Sequence, residues 1–456
     1  MDANSMTGNE QHKGERSTEL GDLPNEILQE IISKLPIKNA IQTAVISKNW
    51  ENQWKNMSKV KLVGRGYRER KEFTKFVDKL VAVLNTSCIK ILSLSYDFCD
   101  DSPMVNGWLS AFIKPTIQEL SLDFESLEDP LTFSDSLFRS KDLTHFHLNM
   151  PQIIMLPSYI CFPSLSTLSF RDVVFPDSLS TQRLFTGCPS LKKLSLIDCN
   201  WSNVETVHIA CPMLQILIIR EWEDDQIDSV APDDPTDCRI VITADNLKTF
   251  TYDGDFLNDY VLDCNTSSIT NGAVEVHPPP IDSMDAGFFV LKLLKALSEV
   301  EKLSISDFAA EALRPYYLSK LPLFNNLVKF HVESGALMNL ASAALLTILR
   351  RSPRLESLDF AMGVFLNKNA LKKVVPFPSC FETSLKTIRI YGFTGRKEEL
   401  FAIKFFLTST PQLDALWIFS YPYGFDGDEG VDRLHKLRTK ILGFARVSVD
   451  CEIYFQ

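Results

Sequence analysis

The sequence predicts an α/β chain in which a small N-terminal helical unit precedes a curved solenoid of strand–helix units with a parallel sheet on its concave face. Three observations carry this expectation. The pattern apolar-x-x-apolar-x-apolar recurs thirteen times between Ile89 and Leu413, at steps averaging 27 residues. Pro115, Pro163, Pro189, Pro212, Pro353 and Pro411 each lie two residues before the first apolar residue of a copy. Residues 20–54, by contrast, space their apolar side chains three and four apart, the period of a helix.

Composition sets the outer bounds. The 456 residues are 45% hydrophobic and 23% charged, an ordinary globular mixture, so wholesale disorder is excluded. Lys plus Arg number 47 and Asp plus Glu 58, for a net charge of −11. Phosphate backbones need a clustered positive surface, so no nucleic-acid partner is expected. The first 19 residues are polar and lack an apolar core segment, which leaves the nucleus and/or cytoplasm as the expected location. No apolar run approaches the ~20 residues that span a bilayer, so no membrane partner is expected. The best stretch, Gly287 to Leu297, is interrupted by Lys292 and Lys295 and reads as an amphipathic helix. The ten cysteines include no Cys-x-x-Cys pair and read as small apolar fillers.

Residues 1–19 carry almost no apolar side chains and are expected to be disordered. Leu23-Pro24 then opens a helix with Ile27, Leu28, Ile31, Ile32 and Leu35 on one broad face. Pro24 suits a first turn, where its missing N–H costs nothing, and Asp22 and Glu26 suit the positive end of the dipole. Pro36 stops that helix at Leu35. A second short helix carries Ile37, Ala40, Ile41, Ala44 and Val45, and Ser47 is a candidate N-cap for a third bearing Trp50 and Trp54. Three short helices enclose too little core to stand alone, so this unit is expected to dock on something else.

The repeats begin at Ile89, Ile117, Leu143, Leu165, Leu191, Leu214, Leu247, Val300, Leu327, Leu355, Leu385 and Leu413, with a weaker copy at Ile269. Their period falls in the ~20–29-residue range of leucine-rich repeats. One strand and one helix cannot bury their apolar faces alone, but stacked copies share a continuous core. Side chains alternate along a strand, so the repeated apolar residues face inward and those between them face the concave surface. The acidic stretch 221–238 and His277-Pro278-Pro279-Pro280 read as loops between units.

Leu23-Pro24, the apolar first helix, Leu35-Pro36, the alanine-bearing second helix, Ser47, Trp50 and Trp54 resemble an F-box. With the repeats behind it, the chain is similar to the plant F-box/leucine-rich-repeat family. From Cys380 onward, Leu385-Lys386, Gly392-Phe393, Gly395, Glu398-Glu399-Leu400, Phe405-Phe406-Leu407 and Leu413 resemble the FBD region of those proteins. Asn49 and Gln53 depart from it, where the family commonly carries a basic residue and a leucine. The resemblance implies a tail (1–19), an F-box (20–62), a leucine-rich-repeat solenoid (63–379) and FBD-like C-terminal repeats with a cap (380–456). It also implies the substrate-recognition subunit of an SCF-type ubiquitin ligase. In that role the F-box docks a Skp-type adaptor, which leads to a cullin and a RING protein, while the repeats hold a protein substrate whose identity stays open. Adaptor-facing positions carried over are Leu23, Pro24, Ile27, Ile31, Leu35, Pro36, Ile37 and Lys38, with Trp50 and Trp54 in the third helix. Such a subunit is not an enzyme: it raises the effective concentration of the substrate beside a conjugating enzyme.

Twelve gaps of about 4.8 Å between thirteen strands give an inner arc of roughly 58 Å, which suits a macromolecular partner. Its most aromatic part lies at the C-terminal end, where Tyr391, Trp417 and Phe419 beside Arg389 have the composition of an interface hot spot. Two alternatives remain: a repeat-based interaction protein with no ligase role, and a receptor gated by a small molecule held by Lys193, Arg220, Lys302 and Lys329. Other signals are weak. His145 and His147 share a strand face without a matching carboxylate or cysteine cluster. Asp426-Gly427-Asp428-Glu429 resembles a calcium loop, but the twelfth position is Leu437. Gly64-Arg65-Gly66 is too short for a phosphate loop. No catalytic residues, metal site or cofactor are expected.

Overall fold

The computed structural model describes residues 23–46, 48, 50–67, 70–96, 102–125, 130–222, 238–277, 286–420 and 427–456. The expected disordered tail, Ser47, Asn49, most of the acidic stretch, the prolines at 278–280 and Asp426 lie outside the described residues.

A single parallel sheet of fifteen strands organises the described chain. Each of the thirteen copies supplies one strand, from Ile91–Tyr96 to Ala415–Ser420, and the weak copy at Ile269 supplies Asn271–Glu275. Two further strands extend the sheet at its ends: β1 (Lys59–Val63), which pairs with β2 (Ile91–Tyr96), and Glu452–Phe455, which pairs with Ala415–Ser420. Burial alternates along the strands, as in Ile91–Tyr96 and Thr167–Arg171, so Leu92, Leu94, Leu168 and Phe170 enter the core while their neighbours face the open side.

The recurrent prolines close turns. In each of the six copies the N–H of the first apolar residue donates to the carbonyl of the residue just before the proline: Ile117 to Lys114, Leu165 to Phe162, Leu191 to Cys188, Leu214 to Cys211, Leu355 to Ser352 and Leu413 to Thr410, at 3.0–3.3 Å. Proline therefore sits second in a four-residue turn, where its fixed φ is already correct. Helices precede four of the six: Ser102–Phe112, Ser178–Thr186, Ala343–Arg350 and Lys397–Ser409. At the other two no helix leads into the proline. Irregular chain leads to Pro163, and the strand Thr206–Ala210 leads to Pro212. That strand joins Arg239–Thr243 and Asp259–Leu262 in a second, three-stranded parallel sheet. Their β-branched, alternating sequences (TVHIA, RIVIT, DYVL) favour strands over helices.

At the N-terminus, α1 (Asn25–Ser33) and α2 (Ile37–Gln42) form as expected, each with a proline at its N-cap. Pro24 thus stands just outside α1, its carbonyl accepting from Leu28. The third helix is reduced to one 3₁₀ turn, Gln53–Asn56, because β1 follows within three residues and leaves no room for a longer element. Leu28, Ile32, Ile37, Ala40, Trp50 and Met57 share one continuous core with Val60, Leu62 and the repeats. The small unit therefore completes its core by packing on the first strand of the solenoid.

Candidate functional site

Two surfaces stand out. The first belongs to the N-terminal unit. Helix α1 is apolar on more than one side: Leu28 and Ile32 are fully buried, while Ile27 is 43% exposed and Ile31 half-buried. Leu23 and Leu35 are half-buried, and Pro24 and Pro36 are exposed. The fold thus leaves Pro24, Ile27 and Pro36 exposed along this edge, while Leu23, Ile31 and Leu35 are covered in part where they pack against the core. The same unit also exposes two residues that sequence reasoning placed in the second helix's apolar set or passed over: Val45, at 90%, and Ile46. A hydrophobic residue just past a short helix was the signal, and pattern matching read it as core.

Not every expected adaptor-facing residue lies on that edge. Trp50 is 1% exposed and Ile37 is buried, so both are core residues. Trp54 is half-buried and its indole N–H donates to the Glu51 carbonyl. Lys38 is exposed, but its ammonium lies 3.8 Å from the centre of the Tyr67 ring. The unit is held to its own 3₁₀ turn by polar bonds. Gln29 donates to the Gln53 carbonyl at 2.9 Å, and the Gln53 side chain donates to Asn25 at 2.9 Å.

The second surface is the concave face. Strand register brings its side chains into three rows. The middle row passes from Ser93 through Ser121, His147, Ser169 and Ser195 and ends at His331, Asp359, Arg389, Trp417 and Tyr454. At its C-terminal end, aromatic rings stack face to face. Trp417 and Tyr454 are 3.9 Å apart between centroids, Tyr391 and Phe419 4.4 Å, and Trp417 and Phe419 6.3 Å. A bulge aims Tyr391. The pairing shifts between Ile390 and Phe393, where Gly392 takes φ +69°, a conformation that costs glycine nothing. Tyr454 was not anticipated, because the strand Glu452–Phe455 begins no repeat. Arg389 does not join the rings: it turns to Ser357 at 2.9 Å and Asp359 at 3.1 Å.

Charges at the centre of the face are engaged within the protein. The buried Asp253 accepts from Arg220 and pairs with His277, both at 2.7 Å, and Trp222 packs on the His277 ring. Arg171 lies 3.7 Å from Asp198, and Asn149 donates to Asp123 at 2.7 Å. Burial, with Asp253 and Glu333 nearby, pushes the Glu275 carboxyl above the usual range. The candidate basic cluster converges only in part. Lys302 and Lys329 are direct neighbours in register, but Lys193 shares their row with three strands between it and Lys302, and Arg220 is taken up by Asp253. His145 hydrogen-bonds Thr144, and burial lowers the pKa of His147. Among the described residues no group of three or more His, Cys, Asp or Glu side chains is placed to hold a metal ion.

Comparison with known proteins matches three stretches of the chain. Residues 20–62 match the F-box domain, residues 105–242 match the leucine-rich repeats of "FBD-associated F-box protein At5g56370", and residues 375–418 match FBD. Similar relatives from Arabidopsis thaliana include the F-box/LRR-repeat protein At3g26922, 27% identical over 64% of this chain and 91% of the relative. The F-box/LRR-repeat protein At3g59200 is 26% identical over 95% of this chain and 87% of the relative. The F-box/FBD/LRR-repeat protein At3g14710 is 24% identical over 95% and 93%.

Proposed function

We propose that this chain, a plant-type F-box/leucine-rich-repeat protein with a C-terminal FBD, is the substrate-recognition subunit of an SCF-type ubiquitin ligase. Its F-box docks a Skp-type adaptor, and through it a cullin and a RING protein. Its repeats hold a protein substrate. The observation that carries the reading is the apolar edge of α1: Ile27 is exposed and Ile31 only partly covered, beside the core that Leu28 and Ile32 fill. A soluble domain seldom leaves several aliphatic side chains on one exposed strip unless a partner covers them. The chain's own contribution is proximity, since no step of ubiquitin transfer is assigned to its residues.

The aromatic terrace of Tyr391, Phe419, Trp417 and Tyr454 is the substrate surface we favour, because stacked rings bury large area at low entropic cost. Fourteen gaps of about 4.8 Å between fifteen strands make the inner arc roughly 67 Å long. Co-purification with a Skp-type adaptor tests the reading. The unmutated chain is expected to retain the adaptor and Ile27→Asp to lose it with an unchanged melting temperature. No adaptor on the unmutated chain would instead support an interaction protein without a ligase role.

A further inference from the structure

Among the described residues β1 is the first strand of the sheet and pairs on one side only, with β2. Ser58 accepts from Ile91, which fixes the phase of the ladder. Ser58, Val60 and Leu62 direct their main-chain groups to β2, so those of Lys59, Lys61 and Val63 point to the open edge. Along that edge runs a groove of about 640 Å³, walled on its far side by the corner between α1 and α2. Its floor is apolar, including Leu35, Leu62, Phe73 and Phe76. Its rim carries Lys34, Lys38, Lys59 and Lys61, and among the described residues no acidic side chain lines it. In a chain with a net charge of −11 that concentration of one sign is local and specific. Lys34 is paired with Glu30 and Lys38 covers Tyr67, whereas Lys59 and Lys61 form no ion pair among the described residues.

We propose that this groove takes up an extended segment of a partner protein as an added strand on β1. The segment alternates acidic and apolar residues. Its main chain meets the open groups of Lys59, Lys61 and Val63, the route by which exposed sheet edges capture peptides. Residues two apart on a strand share a face about 6.8 Å apart, so two acids spaced i and i+2 lie opposite Lys59 and Lys61. The residues between them point to the floor beside Phe73 and Phe76. The same lysines act against self-association: a second copy's β1 brings ammonium groups against ammonium groups, while an acidic segment gains from both. The far wall of the groove includes Leu35, Pro36, Ile37 and Lys38, which the proposed adaptor surface also uses, so the peptide is measured on the purified full chain with no adaptor present, and its failure leaves adaptor capture to be judged separately.

The test is fluorescence anisotropy with a labelled seven-residue peptide alternating valine and glutamate. A scrambled peptide of the same composition, with its glutamates grouped together, serves as the comparison. We expect saturable binding of the alternating peptide, at least tenfold weaker binding of the scrambled one, and at least tenfold weakening in Lys59→Glu/Lys61→Glu, a surface change that leaves the melting temperature unaltered. A version of the peptide with alternate main-chain nitrogens methylated is expected to bind as poorly as the scrambled one. Absence of saturable binding, equal binding of alternating and scrambled peptides, or binding indifferent to the double substitution would each overturn the proposal.

Discussion

Single residues here separate folding from recognition. Leu28 and Ile27 are neighbours on α1 with opposite surroundings, one buried and one outward. Leu28→Ala should cost about 2–4 kcal/mol, since it leaves a cavity in packed core, and Ile27→Ala should change stability by no more than about 0.5 kcal/mol. Urea denaturation measures both, and adaptor capture should rank them in the reverse order for the folded proteins. Glu221 offers a second residue-scale test. Its buried carboxylate accepts from Tyr252 at 2.8 Å, Tyr260 at 2.7 Å and Asn258 at 2.8 Å, yet burial holds its pKa above the usual range. A carboxyl with a raised folded pKa binds more protons folded than unfolded, so its contribution declines as pH rises from the ordinary carboxylate value through the folded one. Glu221→Gln should flatten that part of the pH dependence, and Glu221→Ala should lose at least about 2 kcal/mol by stranding two buried hydroxyls. In the sequence the apolar residues of α1 read as one broad face. Its division into buried and outward halves was not legible there, because that depends on where β1 lies.

At the scale of elements, the repeat pattern was enough to locate thirteen strands, and its prolines enough to locate six turns. Period-two burial and a fixed turn leave little freedom in either. What the pattern missed follows from the same logic. β1 and Glu452–Phe455 start no repeat and owe their strand state to a free sheet edge beside them. The three convex strands took the place of expected helices because tertiary pairing with one another satisfies β-branched segments. The third N-terminal helix shrank to a single turn for want of chain. The bulge at Gly392 makes a prediction of its own. An alanine at φ +69° should cost about 1–2 kcal/mol and move Tyr391 off Phe419. Near-ultraviolet circular dichroism of Gly392→Ala should show weakened aromatic bands with the far-ultraviolet spectrum retained.

For the whole molecule, stability is distributed along one axis. Each strand bonds only to its neighbours, and the core is continuous from Leu28 to Cys451. Interior strands have two partners and the terminal two have one. Amide hydrogen exchange should therefore protect Leu168, Leu194 and Leu217 most, and Leu62 and Ile453 least, with protection rising inward from both ends. Uniform protection across the sheet would contradict this picture of neighbour-by-neighbour stabilisation. The second sheet has a further effect on shape. Helices behind a sheet need about 10 Å each, roughly twice the strand spacing, and this mismatch is what bends the array. Behind the middle of the array stand Thr206–Ala210, Arg239–Thr243 and Asp259–Leu262, which pair at the same pitch as the strands in front. That mismatch is absent there, so the array is expected to bend less through its midsection than where helices back it. A rounded partner can nest in a flank, whereas the straighter span favours a flat or ribbon-like one.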